Sequence, residues 1–243
     1  MSAAARGDLA GKRAFISTAP FGEVDRRPLD LLDASGMAYS INPRNHRLRG
    51  KELIEFIGDV DVLIAGTEPI TAAAMEAAPR LRLISRVGIG LDSVDLLAAR
   101  ERGIEVSYTP DGPSPGVADL TVGLMISLLR GVPEADAAMR RGEWRRVMGR
   151  RLGEVTVGIL GVGRIGKLLI GLLSGFGPRV LANDIAPDEE FRLAHGFEWA
   201  EKERIFREAD IVSLHLPATH LTLGLVGREV LASMKPGAFL INT

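Results

Sequence analysis

Residues 155–169 read VTVGILGVGRIGKLL, a β-rich run that passes through a glycine-rich turn into a helical pattern. Three glycines in this turn have the spacing G-x-G-x-x-G: Gly161, Gly163 and Gly166. The spacing gives a tight turn, lets the backbone approach a pyrophosphate, and allows a helix to pack closely on a strand. The first helical amides, near Arg164 and Ile165, would face phosphates with the positive end of the helix dipole. Taken alone, three glycines can also simply tighten a strand–helix turn.

A carboxylate follows at the end of the next β-rich run. This run, RVLAND, ends at Asp184, 18 residues after Gly166. In dinucleotide-binding folds an acidic residue about 20 residues after the glycines accepts hydrogen bonds from the adenosine ribose, and its charge repels a 2′-phosphate. Strand, glycines, helix and acid together therefore predict a site for NAD in preference to NADP. The alternative is a degenerate site that keeps only the fold.

The rest of the chain repeats the same alternation of short β-rich runs and amphipathic stretches, in two series. Such alternation requires parallel strands joined by crossover helices. The series are separated by TPDGPSPG, residues 109–116, whose three prolines and two glycines interrupt regular structure. We therefore predict an α/β protein of two doubly wound parallel-sheet domains, residues 1–110 and 111–243. The second domain begins with a helix that is apolar nearly all round, which predicts a buried helix.

Composition and charge exclude several classes of function. The chain has 243 residues, 46% of them apolar, a formal net charge of −1 and no cysteine. This charge gives no general attraction to nucleic acid or anionic membrane, and the missing cysteines exclude disulfides and thiolate metal sites. The sequence shows no signal-peptide pattern, no run of about 18 apolar residues and no metal-ligand spacing of His, Asp or Glu. We expect a cytoplasmic protein without a resident metal.

Several segments resemble, in the same order, the D-isomer-specific 2-hydroxyacid dehydrogenase family, especially its phosphoglycerate dehydrogenase-like branch. They include RVGIGLDSVDL, VADLTVGLMISLLR, GILGVGRIGKLL, DIVSLHLPAT and MKPGAFLINT. The resemblance implies a flavodoxin-like substrate-binding first domain and a Rossmann NAD-binding second domain. It also implies an NAD-dependent oxidoreductase that interconverts a D-2-hydroxy acid and its 2-oxo acid, and a homodimer.

The resemblance also assigns site residues. In RVGIGLD, backbone amides around Val87 and Gly88 would hold the substrate carboxylate, although a glycine-rich turn without a ligand is the alternative. Contacts to the adenosine and nicotinamide would come from six further residues: Thr121, His215, Leu216, Pro217, Thr222 and Thr243. Without the resemblance, His215 would be interpreted as a hydrogen-bonded histidine at a strand end.

The family's acid/base residues have no counterpart in this sequence. In the family, the strand ending in INT is followed by a substrate-binding arginine and later by a carboxylate and the histidine that it orients. We therefore expect the catalytic residues beyond Thr243, an incomplete second domain, and no activity from residues 1–243 alone. The alternative is a non-catalytic NAD-binding or interaction protein that natively lacks this segment. His46, His195 and His220 lie in polar stretches without a recognisable carboxylate–histidine arrangement.

One basic run remains, MRRGEWRRVMGRR, with six arginines between Arg140 and Arg151. A solvated helix end and connecting segment is the plain interpretation. The alternatives are an anion-binding site or, with Trp144, a contact in a dimer.

Overall fold

Parallel strands and crossover helices alternate from Arg13 to Asn242 in the computed structural model, which describes residues 9–243. Ten strands and ten α-helices lie in this part of the chain. They fall into two units, Met1–Gly112 and Pro113–Thr243. The division after Gly112 falls within the proline- and glycine-rich segment, residues 109–116. The predicted α/β class, with two parallel sheets, is confirmed.

Unit 1 contains a five-stranded parallel sheet with the strand order β2-β1-β3-β4-β5. This order is that of flavodoxin-like folds. The strands are β1 (Arg13–Ile16), β2 (Ala38–Ile41), β3 (Val62–Ala65), β4 (Leu83–Arg86) and β5 (Glu105–Tyr108). The helices are α1 (Arg27–Ser35), α2 (Lys51–Ile57), α3 (Ala72–Glu76) and α4 (Leu96–Glu101). Phe15, Leu63 and Ile84 from the three central strands lie in its core.

Unit 2 has the order β10-β9-β6-β7-β8, again all parallel. The strands that follow β6 in the chain first lie on one side of it (β7, β8) and then on the other (β9, β10), so the strand order reverses between β6 and β9, as in a dinucleotide-binding sheet. Its strands are β6 (Thr156–Leu160), β7 (Arg179–Asn183), β8 (Glu198–Trp199), β9 (Ile211–Leu214) and β10 (Phe239–Asn242). Its helices are α5 (Ser114–Leu129), α6 (Val132–Arg140), α7 (Arg164–Ser174), α8 (Glu189–His195), α9 (Lys202–Glu208) and α10 (Arg228–Ser233).

Helix α5 is buried on one side only, which corrects the prediction of a helix buried nearly all round. Met125 is fully buried in the core of unit 2, whereas Leu120 is 55% exposed. The apolar periodicity of the sequence could not show which side of the helix is covered. Among residues 9–243, no single helix has both the length and the apolar character to cross a membrane. Within the same residues, α5 and α6 taken together have the required length and apolar composition, but the pair is bent by 66°.

An aspartate joins two strands at the amino end of the sheet in unit 1. Asp61, just before β3, accepts a hydrogen bond from Arg13 N at 3.0 Å, and its own amide donates to Arg13 O at 2.8 Å. Lys12 and Arg80 also bind this carboxylate. Burial raises the pKa of the Asp61 carboxyl, but the Arg13 amide and the two cations outweigh burial and hold the pKa below its ordinary value.

Unit 2 repeats this arrangement. Asp210, just before β9, accepts from Thr156 N at 2.8 Å, and its own amide donates to Thr156 O at 2.8 Å. Arg150 and Lys235 pair with the carboxylate. Burial again raises the pKa and is outweighed by the Thr156 amide and the two cations, so the pKa is lowered. Each sheet thus has one carboxylate that joins its first strand to the neighbouring strand.

Candidate functional site

The glycine-rich turn connects β6 to α7, and two of its glycines are required by the fold itself. Gly161 has a φ of +94°, and a Cβ there would lie 2.5 Å from the carbonyl oxygen of His215. A Cβ on Gly166 would lie 2.1 Å from the carbonyl oxygen of Gly161. No side chain fits at such distances, so these glycines allow β9 and α7 to approach the turn.

Gly163 differs from the other two, because the fold does not need a glycine there. Its backbone is extended, with a φ of −77° and a ψ of −151°, and no heavy atom lies within 4 Å of a Cβ built at this position. The open space lies at the start of α7, where the first helical amides have no intrahelical acceptor and the helix dipole is positive. This space can take an anionic group that a side chain would displace.

Asp184 follows β7 and contacts the glycine-rich turn directly. Its Oδ2 accepts a hydrogen bond from Val162 N at 2.7 Å, and its Oδ1 accepts from Ala186 N at 2.9 Å. A carboxylate offers about four acceptor positions, so two remain for other donors such as ribose hydroxyls. The next residue, Ile185, has an apolar side chain that is 94% exposed. The sequence did not identify it as a site residue.

His215 follows β9 and is held by Leu160 O, which accepts from its backbone amide at 2.8 Å. The ring Nε2 lies 2.8 Å from Ser213 Oγ, whereas Nδ1 is buried without a hydrogen-bond partner. Burial lowers the pKa of this imidazole to about 4. His215 is therefore neutral at physiological pH, and one of its ring nitrogens is buried without a hydrogen-bond partner.

This lowered pKa predicts a loss of stability in mild acid. An unfolded histidine binds a proton near pH 6.5 and His215 only near pH 4, so the unfolded state binds more protons in this window. We expect the contribution of His215 alone to lower the free energy of unfolding by about 1 to 3 kcal/mol between pH 6.5 and 4. Urea titrations of the wild type and His215→Gln would measure the difference, with His220→Gln as the control. An unchanged pH dependence in His215→Gln would contradict the assignment.

The other predicted cofactor residues lie in unit 2 as follows. Thr121, fully buried on α5, donates to Val117 O at 2.7 Å, and its Oγ1 lies 3.3 Å from Thr243 Oγ1 at the end of β10. Thr222 donates to Pro217 O at 2.5 Å and so closes the loop after β9 on itself. Leu216 approaches the turn, since its Cδ2 would lie 3.1 Å from a Cβ on Gly161.

The structure therefore brings the central predicted residues to one place. The carboxyl ends of the adjacent strands β7, β6 and β9 carry Asp184, the glycine-rich turn and His215. Open α/β sheets bind their ligands at such an edge, where the strand order reverses. An open space at Gly163, a carboxylate with spare acceptor positions and an unpaired buried Nδ1 fit a dinucleotide.

The loop after β4 in unit 1 is shaped by a glycine, but its first amides are occupied. Val87 N donates to Ala65 O at 2.8 Å, and Gly88 N donates to Thr109 Oγ1 at 2.7 Å. In this conformation neither amide is available to a substrate carboxylate, so the predicted roles of Val87 and Gly88 would require a ligand oxygen to replace these acceptors. The next two amides, of Ile89 and Gly90, have no acceptor among residues 9–243.

Arg86, the last residue of β4, was missed by the sequence reasoning. It is only 9% exposed, and its Nε is buried without a hydrogen-bond partner. Its Nη1 donates to Val87 O, and no carboxylate within residues 9–243 forms an ion pair with it. A Cβ on Gly88, whose φ is +139°, would lie 1.7 Å from Arg86 Nη1. The available signal was an arginine at the end of the β-rich run LRLISR.

Two further groups of residues stay at the surface. His46 does contact a carboxylate, contrary to the sequence reasoning: its Nε2 lies 3.3 Å from Glu52 Oε1. Arg44 shares this carboxylate, and the His46 side chain is 54% exposed, so the pair belongs to the surface. In the basic segment, Trp144 is 89% and Met148 85% exposed, which fits both a solvated segment and a contact in a dimer.

The sequence of unit 2 matches a known family over most of its length. Residues 122–243 match the family model described as the NAD-binding domain of D-isomer specific 2-hydroxyacid dehydrogenases. The chain belongs to this family. Unit 2 is its NAD-binding domain, and the cofactor is NAD, as predicted from the glycine spacing and Asp184.

Similarity extends to proteins of this D-2-hydroxyacid dehydrogenase family with different names. The D-3-phosphoglycerate dehydrogenase of Methanocaldococcus jannaschii is 38% identical over 200 residues, which are 80% of this chain and 38% of that protein. The hydroxypyruvate reductase of Thermotoga maritima is 35% identical over 203 residues, 82% of this chain and 65% of that protein. The chain thus spans between about two fifths and two thirds of the length of these curated relatives.

A solved structure shows the same fold. The crystal structure of the TT0316 protein from Thermus thermophilus aligns with a TM-score of 0.83 and 34% identity. The alignment covers 95% of this chain and 73% of that one.

Proposed function

We propose that this D-2-hydroxyacid dehydrogenase family member is an oxidoreductase that interconverts a D-2-hydroxy acid and its 2-oxo acid with NAD. The proposal rests on one observation in the NAD-binding domain: Asp184 Oδ2 accepts a hydrogen bond at 2.7 Å from Val162 N of the glycine-rich turn. The curated relatives support the reaction class, since their names include a dehydrogenase of phosphoglycerate and a reductase of hydroxypyruvate.

Each part of the cofactor has a residue in unit 2 that suits it. The space at Gly163 and the start of α7 would hold the pyrophosphate, and Asp184 would accept from the adenosine ribose hydroxyls. The exposed Ile185 would contact the adenine, and Thr121 with Thr243 would bind the nicotinamide end. NAD, when bound, supplies the hydride acceptor or donor of the reaction.

Unit 1 would bind the acid. The buried guanidinium of Arg86 has no carboxylate partner among residues 9–243, and this supports an anion site at the carboxyl end of β4, since a buried charge without a counter-charge is costly. The unpaired amides of Ile89 and Gly90 follow it in the same loop and could share the substrate carboxylate.

His215 is not the proton-transferring group of this reaction. Hydride transfer requires a proton at the substrate oxygen, and a group with a pKa near the working pH serves best. His215 has its pKa lowered to about 4 and contacts Ser213 rather than a carboxylate. We propose that His215 contributes to cofactor binding, as the resemblance predicts, and that a histidine oriented by a carboxylate elsewhere in the protein transfers the proton.

The activity is tested by NADH oxidation with glyoxylate, pyruvate, hydroxypyruvate and its 3-phosphate, using the product of the complete reading frame. We expect turnover on the order of 1 per second or more with at least one of these acids. Arg86→Gln should raise KM for the acid and leave NADH affinity unchanged. If the protein binds NADH but oxidises it with none of the four acids, the proposed reaction is wrong.

We also propose a cytoplasmic homodimer. Exposed apolar side chains of unit 2 support an interface there, namely Leu120, Trp144 and Met148. Sedimentation equilibrium would distinguish a dimer from a monomer.

A further inference from the structure

One loop carries both residues proposed to bind the adenosine half of NAD. Residues 184–188 connect β7 to α8 and include Asp184, the proposed ribose acceptor, and the exposed Ile185. The start of this loop is fixed to the glycine-rich turn, because Asp184 accepts from Val162 N at 2.7 Å. The far end of the loop is fixed by a second contact, with α7, the helix that follows the turn.

This second contact is an ion pair between Asp188, the last residue of the loop, and Lys167 on α7. Asp188 Oδ1 caps α8 by accepting from Phe191 N at 2.9 Å, and Oδ2 lies 2.5 Å from Lys167 Nζ. The hydrogen bond from Lys167 holds the pKa of the Asp188 carboxyl below its ordinary value, so this group is charged at neutral pH. Within residues 9–243, neither Lys167 nor Asp188 forms an ion pair with any other residue.

Lys167 connects the beginning of α7 to the beginning of α8. Its backbone amide donates to Gly163 O at 2.9 Å, so it lies one turn after the glycine-rich turn. Its ammonium lies 5.0 Å from the centre of the Phe191 ring on α8, within the range of a cation–π contact. The Lys167 and Asp188 side chains are 41% and 38% exposed. An ion pair with this exposure adds little to the stability of the whole protein, but it can hold the end of a loop.

We propose that Lys167 and Asp188 are positioning residues that hold the 184–188 loop against α7 before NAD binds. This inference rests on the proposed function, in which Asp184 and Ile185 contact the cofactor. A loop tied at both ends keeps these two side chains in place, whereas a loop tied only at Asp184 can open at its far end. A loop that is closed only part of the time lowers the apparent affinity by the closed fraction. Loss of the ion pair should therefore weaken NADH binding, although neither residue touches NADH.

Two substitutions remove the ion pair and keep the other contacts, and both are made in the product of the complete reading frame. Lys167→Met keeps an unbranched side chain beside the Phe191 ring, and Asp188→Asn keeps an oxygen that caps α8. Each should weaken NADH binding about three- to fivefold in a fluorescence titration, and the double variant should lose no more affinity than either single variant. The matched control is Arg192→Met, which breaks the pair of Arg192 with Glu189 within α8 and removes the same charge. It should bind NADH as the wild type does.

Deuterium uptake of the cofactor-free protein measures the position of the loop directly. In both single variants, the amides of residues 185–188 should exchange faster than in the wild type, while those inside β7 keep their rate. A pair that is merely structural would lower the unfolding temperature but leave this local exchange and the NADH affinity unchanged, and this result would overturn the proposal.

Two further results would also overturn it: losses of NADH affinity that add up in the double variant, and an equal loss in Arg192→Met. Failure of the proposed function gives a different pattern. In that case the variants bind NADH as predicted here, but the wild type oxidises NADH with none of the four acids.

Discussion

Gly163→Val is expected to lose the stabilisation that NAD gives to the protein, while the unliganded variant unfolds at nearly the wild-type temperature. The reason is that no atom lies within 4 Å of a Cβ at this position and the backbone there is extended. A valine side chain therefore fits the empty turn but occupies the space proposed for the pyrophosphate.

Thermal unfolding with and without NAD measures this effect. At an NAD concentration of about 100 times the dissociation constant, the wild type should gain roughly 2.7 kcal/mol. The matched control is Gly171→Val in α7, where a Cβ also meets no atom within 4 Å. It should respond to NAD as the wild type does. Equal stabilisation of Gly163→Val and the wild type would show that the pyrophosphate lies elsewhere.

Asp184→Ala is expected to weaken NAD binding by about tenfold or more and to reduce the preference for NAD over NADP. The substitution removes a ribose acceptor and the charge that repels a 2′-phosphate. It also removes the acceptor of Val162 N and Ala186 N, so part of the lost affinity would come from a looser turn. The loss of preference, rather than the loss of affinity, therefore tests the assignment.

Competitive titration of NADH against NADPH measures this preference. Glu190→Ala removes an exposed carboxylate from the first turn of α8 and serves as the control for a general change in charge. A ratio of the two affinities that is the same in Asp184→Ala and the wild type would exclude Asp184 from the ribose site.

The parts of the site that are local in sequence could be predicted from it. The glycine spacing, the helix that follows and the acid at the end of the next strand all lie within 30 residues, from Val155 to Asp184. Their position relative to one another depends on the order of strands and helices along the chain, which the alternating pattern shows. The strand orders do not follow from this alternation, because the rules of parallel sheets allow more than one order; only the resemblance to the family implied them.

Contacts between distant segments could not be predicted in this way. Gly88 N donates to Thr109, 21 residues further on, and Glu68 accepts from Ser17, 51 residues before it. Nothing in the local pattern around Glu68 distinguishes a buried carboxylate from a solvated one. Likewise, the bond from Val162 N to Asp184 makes the ribose acceptor a support of the glycine-rich turn, which the spacing of the motif alone does not reveal.

Asp61 and Asp210, which join strands at the amino ends of the two sheets, affect hydrogen exchange. The first residues of strands ordinarily fray, because their amides open locally without unfolding of the core. Arg13 N and Thr156 N are the first amides of β1 and β6, yet each donates to a carboxylate that is itself held by two cations. Their deuterium uptake should therefore be as slow as that of amides inside the sheet. In each unit, helices and loops would then open before these strand-end amides exchange.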